Sequence, residues 1–303
     1  RYAYMSPARL KQVSHAIAQN VSPRAPTEWA VAALELCSIG FDVWQHYVDA
    51  VALVRGIFEL ATDEQAAGIL RTAARRATLA LASQHGALFM STLAMDILHA
   101  PSAHHNQVAL RLVAFMVRHK PLALYPSLPR LAEAVVKSLD PTSTRANMVQ
   151  AATVMINELV QTYPSIAFHR QSQRLAVGTA EGSVVMYDLK TGTRYCVLSG
   201  HAKPVTACSF SPDGRRFLSM SLAEERVLIW HMGTGLLDII PSAMARVSGT
   251  QSDTGATKTI KFHLGVSDCP SGAAFVLSGV SFEWPNNRSV RMHIGEASVN
   301  IGV

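Results

Sequence analysis

Cysteine is scarce in this 303-residue chain, and its placement excludes more than its number does. The four residues, Cys37, Cys196, Cys208 and Cys269, form no CxxC pair and have no histidines at zinc spacing, so a zinc-ribbon or zinc-finger core is excluded. They sit in apolar surroundings, where a free thiol behaves as a small core side chain. That usage suits a reducing compartment, and no secretory signal pattern is visible. Charge is thin and evenly spread: 14 Lys/Arg against 11 Asp/Glu up to residue 163, and 13 against 10 after it. A nucleic-acid binder concentrates basic residues on one face. Arg75-Arg76 and Arg215-Arg216 are isolated pairs that read as solvated surface. Long uninterrupted apolar runs are missing too. The most apolar region, Trp29 to Val54, carries Glu35, Asp42 and Asp49, which a membrane span tolerates poorly.

Catalytic signatures are also lacking. There is no GxSxG and no HExxH, the patterns that place a hydrolase nucleophile or a metalloprotease zinc. "GTAEGS" (178–183) is Gly-rich but precedes a β-type run and has no following Lys-Ser/Thr, so it is no phosphate loop. His99, His104 and His105 cluster in "HAPSAHHNQ" without a nearby carboxylate, whereas a metal needs converging ligands. They read as solvent-facing residues at a helix start. The sequence therefore points to no catalytic, cofactor or metal residues.

What is present changes character near Pro164. Before it the apolar period is helical; after it short β-rich runs alternate with Gly-containing turns. "TDEQAAGILRTAARRATLALASQ" predicts a helix capped by Thr62, with Ile69, Leu70, Ala73, Ala77 and Leu81 on one apolar face. "SAHHNQVALRLVAFMVRHK" predicts another, capped by Ser102. "SLPRLAEAVVKSLD" predicts a third. Asp140-Pro141 offers a cap and a first-turn Pro for the last helix, which ends at Pro164. Successive helix pairs with short connections predict an α-solenoid of HEAT or armadillo type over residues 1–163, rather than a bundle.

The second half writes one unit twice. "YDLKTG" begins at Tyr187 and "WHMGTG" at Trp230, 43 residues later. Glu181 and Glu224 stand six places before these aromatics, and Asp188 follows the first of them. Ahead of the second unit lie Gly200-His201 and a hairpin turn at Asp213-Gly214. A period of about 40–45 residues with a Gly-His start and an aromatic-polar end resembles the WD-repeat β-propeller family; four strands and their turns consume that length. The resemblance implies that His201 and a turn acid support the blade internally. Glu181 and Glu224 replace the usual Asp, Tyr187 replaces the usual Trp, and His231 the usual Asp after Trp230, which puts a complete polar network in each blade in doubt. "GATKTIKFHLGV" predicts an outer strand, and "GVSFEWPNNRSVRMHIGEASVNIGV" three more. Residues 164–303 thus read as about two full blades and a partial third. The start at Arg1 suggests a longer parent chain, whose other blades are expected to complete the ring.

Helical repeats running into "RQSQRLAVGTAEGSVVMYDLKTG", then "GHAKPVTACSFSPDGRRFLSMS", "WHMGTGLL" and "NNRSVRMHIGE" resemble the C-terminal part of the rabconnectin-3 beta family. The resemblance implies a cytoplasmic scaffold, peripheral on synaptic or endosomal vesicles. Its implied partners are a DmX-like WD-repeat protein (rabconnectin-3 alpha) and subunits of the vacuolar proton-pumping ATPase. The alternative implied function is regulation of a Rab GTPase, for example through an arginine finger.

Overall fold

Helix gives way to strand between Thr162 and Ile166 in the computed structural model, which describes residues 5–100, 102–139, 146–232, 256–263 and 272–303. Compactness divides the chain elsewhere, into residues 1–127 and 128–303.

The first unit is a run of helices: α1 (Pro7–Asn20), α2 (Thr27–Trp44), α3 (Ala50–Thr62), α4 (Gly68–Gln84), α5 (Gly86–Leu98), α6 (Ala103–His119) and the single turn α7 (Pro121–Leu124). Side chains start three of them. Ser6, Asp49 and Ser102 accept the amides of Arg9, Ala52 and His105, each satisfying a donor that the helix itself leaves unpaired. Ser102 is the expected cap of its helix. Thr62 is not a cap. It is the last residue of α3, buried, and its hydroxyl donates to the Phe58 carbonyl. Asp63 and Glu64 therefore fall in the connection, and α4 starts at Gly68. The apolar face of α4 holds for Leu70, Ala73, Ala77 and Leu81, whereas Ile69 is 66% exposed, one step off the buried stripe. Inside α2, Gly40 leaves helical geometry. The Trp44 indole donates to the Leu36 carbonyl at 3.0 Å, the acceptor that the Gly40 amide would otherwise use.

Contacts among these helices follow chain order. α1 packs on α2, α3 on α4 and α5 on α6, while α2 meets α4 and α3 meets α5 and α6. Each pair thus touches its own partner and the next pair, the arrangement of a stacked helical array. The connection from α3 to α4 is five residues, too short to span a helix lengthwise, so it turns the chain back.

The second unit opens with α8 (Leu128–Lys137) and α9 (Ala146–Thr162). The expected cap at Asp140-Pro141 lies outside the described residues, as do Gly233–Gly235 of "WHMGTG" and Cys269. Three antiparallel sheets follow. Blade 1 is β1 (Ile166–His169), β2 (Arg174–Gly178), β3 (Ser183–Asp188) and β4 (Thr193–Ser199), in that spatial order. Blade 2 is β5 (Ala207–Phe210), β6 (Arg216–Ser221), β7 (Arg226–His231) and β8 (Lys258–Lys261). A short helix α10 (Ala273–Gly279), which the sequence pattern did not reveal, leads into blade 3: β9 (Val280–Asn286), β10 (Ser289–Ile294) and β11 (Ala297–Gly302). Helices followed by antiparallel propeller blades is the expected fold class. The described sheets form no closed ring.

The blades stack through their innermost strands, β1 on β5 and β5 on β9. Alternation along each strand sends one set of side chains to each face. Ala176, Met186, Cys208, Phe210, Phe217, Leu228 and Trp230 form the core between blades 1 and 2. Blade 3 is tied to blade 2 by the Trp284 indole on Ser209 Oγ at 2.9 Å and by Arg216 on the Asn287 carbonyl.

Candidate functional site

The second blade brings its expected residues into one hydrogen-bonded chain. His201 lies on the link from β4 to β5, Ser219 on β6, Glu224 on the turn before β7, and Trp230 on β7. The Trp230 indole N–H donates to Ser219 Oγ at 2.9 Å. His201 Nε2 stands 3.0 Å from that hydroxyl and Nδ1 stands 2.7 Å from Glu224 Oε2. With the carboxylate accepting from Nδ1–H, Nε2 is an acceptor and takes the Ser219 hydroxyl proton. The order is then Trp230 to Ser219 to His201 to Glu224, each donor matched. Glu224 also accepts the Ala202 amide at 2.7 Å and the Arg226 guanidinium at 3.1 Å. Arg226 in turn donates to the Gly200 carbonyl at 2.6 Å.

Burial sets the protonation. The His201 side chain is 1% exposed. Desolvation, the largest effect, lowers its pKa; the Glu224 carboxylate and a Ser219 carbonyl work against it, and the net shift is downward. Burial pushes the Glu224 carboxyl up, but the Ala202 amide, the His201 ring and the Arg226 charge outweigh it and hold it below its ordinary value. A neutral imidazole between an ionised carboxylate and a hydroxyl results.

Close packing explains the glycines around this chain. A Cβ on Gly200 would stand 2.7 Å from Leu228 and 3.0 Å from the Trp230 ring. Gly182, in the β2–β3 turn at φ +84°, would place one 2.1 Å from the His201 carbonyl. Blade 1 thereby holds the His201 link against blade 2, through the Gly182 carbonyl and the Thr179 carbonyl, which accept the amides of His201 and Val205. At the hairpin turn, Asp213 Oδ1 accepts the Ser211 hydroxyl at 2.6 Å and the Arg215 amide at 3.1 Å. The Ser211 bond and burial act oppositely on the Asp213 carboxyl, and the net pKa is lowered. Gly214, at φ +67°, lies under the His169 ring.

The first blade departs from this plan. Tyr187 occupies the Trp230 position and is 3% exposed, but Val177, paired with Val185 as Ser219 is with Leu228, stands where Ser219 would be, and helix α9 precedes β1 where the link carrying His201 precedes β5. Glu181 is exposed and takes no part in such a chain. The doubt about complete networks is thus resolved differently in the two blades: Glu224 closes one, Glu181 does not. Asp188 caps its own turn by accepting the Lys190 amide at 2.8 Å. Ser219, Arg226 and Gly182 were missed in the sequence. Ser219 was visible only as one of four serines in "SFSPDGRRFLSMS", with no cue to its partner.

His99, His104 and His105 are all exposed. His105 Nδ1 pairs with the Ser102 hydroxyl at 2.8 Å. Among the described residues no three His, Cys, Asp or Glu side chains converge as a metal site would require, and no helix is long and apolar enough to cross a membrane. Cys37 and Cys208 are buried and Cys196 half-buried, all free. Burial pushes the Cys37 thiol up to about 12 and the Cys196 thiol up to about 11, so these thiols are inert rather than nucleophilic.

A four-stranded antiparallel blade with a buried Trp–Ser–His–carboxylate chain defines a repeat of the propeller class. Residues 192–231 match the family described as WD domain, G-beta repeat, so the unit that carries His201, Glu224 and Trp230 is a WD repeat. Among curated proteins, the chain is 40% identical over 77 residues to the WD repeat-containing protein SL1-17 of Schistosoma mansoni, covering 25% of each chain. It is 43% identical over 51 residues to the COMPASS component SWD1 of Saccharomyces cerevisiae, covering 16% of this chain and 12% of that one. Each match spans only part of its relative, a quarter of the length for SL1-17. Among solved structures, the Cps50 (Swd1) beta-propeller domain of Myceliophteria thermophila aligns at 20% identity and TM-score 0.30, covering 47% of this chain and 37% of that one.

Proposed function

We propose that this chain is a non-catalytic scaffold of a vesicle-associated complex that promotes assembly or regulation of the vacuolar proton-pumping ATPase. Its working parts are the helical repeats up to residue 163 and the blades from residue 164. One observation carries the non-catalytic part. The ionisable and polar side chains of the repeat satisfy one another: His201, Ser219, Glu224, Arg226 and Trp230 are bound to each other inside the blade, which leaves them to hold the sheet rather than to meet a substrate. The similarity to a COMPASS component supports a role in protein complexes. The proton-pump reading rests on the order of motifs from the helices through "YDLKTG", "GHAKPV" and "WHMGTG". It places the protein in the cytoplasm, peripheral on acidic vesicles, beside a DmX-like WD-repeat protein and pump subunits.

The test is removal of the protein from cells. Organelle pH should rise and pump subunits should dissociate, and affinity capture should recover the DmX-like protein and pump subunits together. Normal acidification with normal pump assembly would refute the reading. The Rab alternative has its own assay: faster GTP hydrolysis or nucleotide exchange on a Rab protein by the purified chain would favour it instead.

A further inference from the structure

Blade 1 has two apolar faces, and among the described residues only one of them meets another blade. Ala167, Ala176, Val184 and Met186 face blade 2. The alternate residues Ile166, Leu175, Val177 and Tyr187 point to the opposite face, yet they are as deeply buried, at 3% exposure or less. Among the described residues no sheet covers them. What lies there is helical: α9 packs on β1 and α8 on β2.

The chemistry of α8 fits this position. Leu131, Ala132, Ala134, Val135 and Val136 are all buried, so a ten-residue helix is covered on most of its circumference and keeps only a narrow stripe of Arg130, Glu133 and Lys137 towards solvent. A surface helix on a single partner buries one stripe; α8 is packed between α9 and the sheet. Its polar stripe is registered on the blade. Glu133 lies 3.8 Å from the Arg194 guanidinium of β4 and 2.8 Å from Lys137. The Tyr187 hydroxyl feels the charges of both Glu133 and Arg194. Gly192, in the β3–β4 turn, lies beside the Val136 carbonyl, where a Cβ would stand at 3.5 Å, in ordinary contact. Compactness groups both helices with the blades rather than with α1–α7.

We propose that α8–α9 is a substitute blade: it fills the stacking face of blade 1 and excludes a further β-sheet from that face. Tyr187 replaces the tryptophan of the repeat for the same reason. Its ring is buried under a helix, and its hydroxyl reaches the Arg194–Glu133 pair, where an indole N–H would donate into a sheet. The far end of the array differs in kind. The face of blade 3 turned away from blade 2 carries Ser281, Glu283, Arg291, His293 and Asn300, and Arg291 bridges Glu283 at 3.2 Å. One end of the blade stack is closed by helices and the other is polar, so neither presents a dry apolar sheet for stacking.

The test uses the full chain and tyrosine acetylation mapped by mass spectrometry. Tyr187 should be inert in the unaltered chain. Leu131→Asp with Val135→Asp should loosen α8, raise Tyr187 acetylation at least tenfold and convert monomers to dimers or larger species through the bared face. If that variant does not fold, Glu133→Arg is the milder one: it should raise Tyr187 acetylation several-fold, and Glu133→Arg with Arg194→Glu should restore protection. Tyr187 reacting freely in the unaltered chain, or staying inert with the chain monomeric when α8 is loosened, would overturn the proposal. So would a failure of the charge-reversed pair to restore protection.

Discussion

Glu224 does with one methylene more what an aspartate does in the repeat family it resembles. The extra length is absorbed because the carboxylate is gripped from three sides, by the Ala202 amide, His201 and Arg226. Acid should therefore weaken the blade in two steps. His201 has a lowered pKa in the fold, so its contribution is fully present above the ordinary histidine value of about 6.5 and is lost as pH falls towards the folded value. Glu224, also lowered, contributes above the ordinary carboxylate range of about 4.3 and is lost below that. Thermal melting should shift downward between pH 7.5 and 5, and His201→Gln should flatten that portion of the profile while lowering stability throughout. Trp230, 2% exposed, separates ring from N–H. Trp230→Ala should cost about 3–5 kcal/mol in urea unfolding. Trp230→Phe should cost about 1–3 kcal/mol, chiefly the unmet Ser219 acceptor.

Single elements depend on short local devices. Helix α6 begins at Ser102, whose hydroxyl accepts the His105 amide. Ser102→Ala should cost about 1 kcal/mol, read as a lower urea midpoint for the helical transition, while Thr62→Ser should leave α4 intact because Thr62 belongs to α3. Gly200 and Gly182 fail for different reasons. Gly200→Ala meets side chains that can shift, so a loss of roughly 1–3 kcal/mol follows from overpacking. Gly182→Ala meets the His201 backbone at φ +84°, where neither the turn nor the carbonyl can yield. Gly182→Ala should be the more damaging, and a midpoint no lower than that of Gly200→Ala would contradict this ordering.

Within the second unit, the helices and blades make one core. Leu175, Val177 and Tyr187 of blade 1 are buried on the side where α8 and α9 pack. A fragment of residues 128–303 should therefore stay soluble, while residues 164–303 should aggregate, because they lack the helices and expose that face to water. Size-exclusion chromatography of the two fragments at equal concentration distinguishes them; equal solubility would show that α8–α9 contributes little to the cover.

The sequence by itself determined the two kinds of local structure and the repeat. Apolar periodicity is a property of neighbouring residues, so the helices, the change near Pro164 and the strands of "SFEWPNNRSVRMHIGEASVNIGV" were legible from it. The 43-residue spacing likewise placed Tyr187 and Trp230 at matching positions. Tertiary structure alone decided what those positions do. Ser219 joins His201 and Trp230 because β-pairing brings β6 between them, a proximity across 18 and 11 residues that no local pattern encodes. Glu181 and Glu224 are equivalent in sequence and unlike in the fold, since Glu224 is bonded to a histidine and Glu181 is exposed. Tyr187 is buried as expected, yet under α8 instead of a sheet, because burial records how much surface a side chain must hide and leaves open which element hides it.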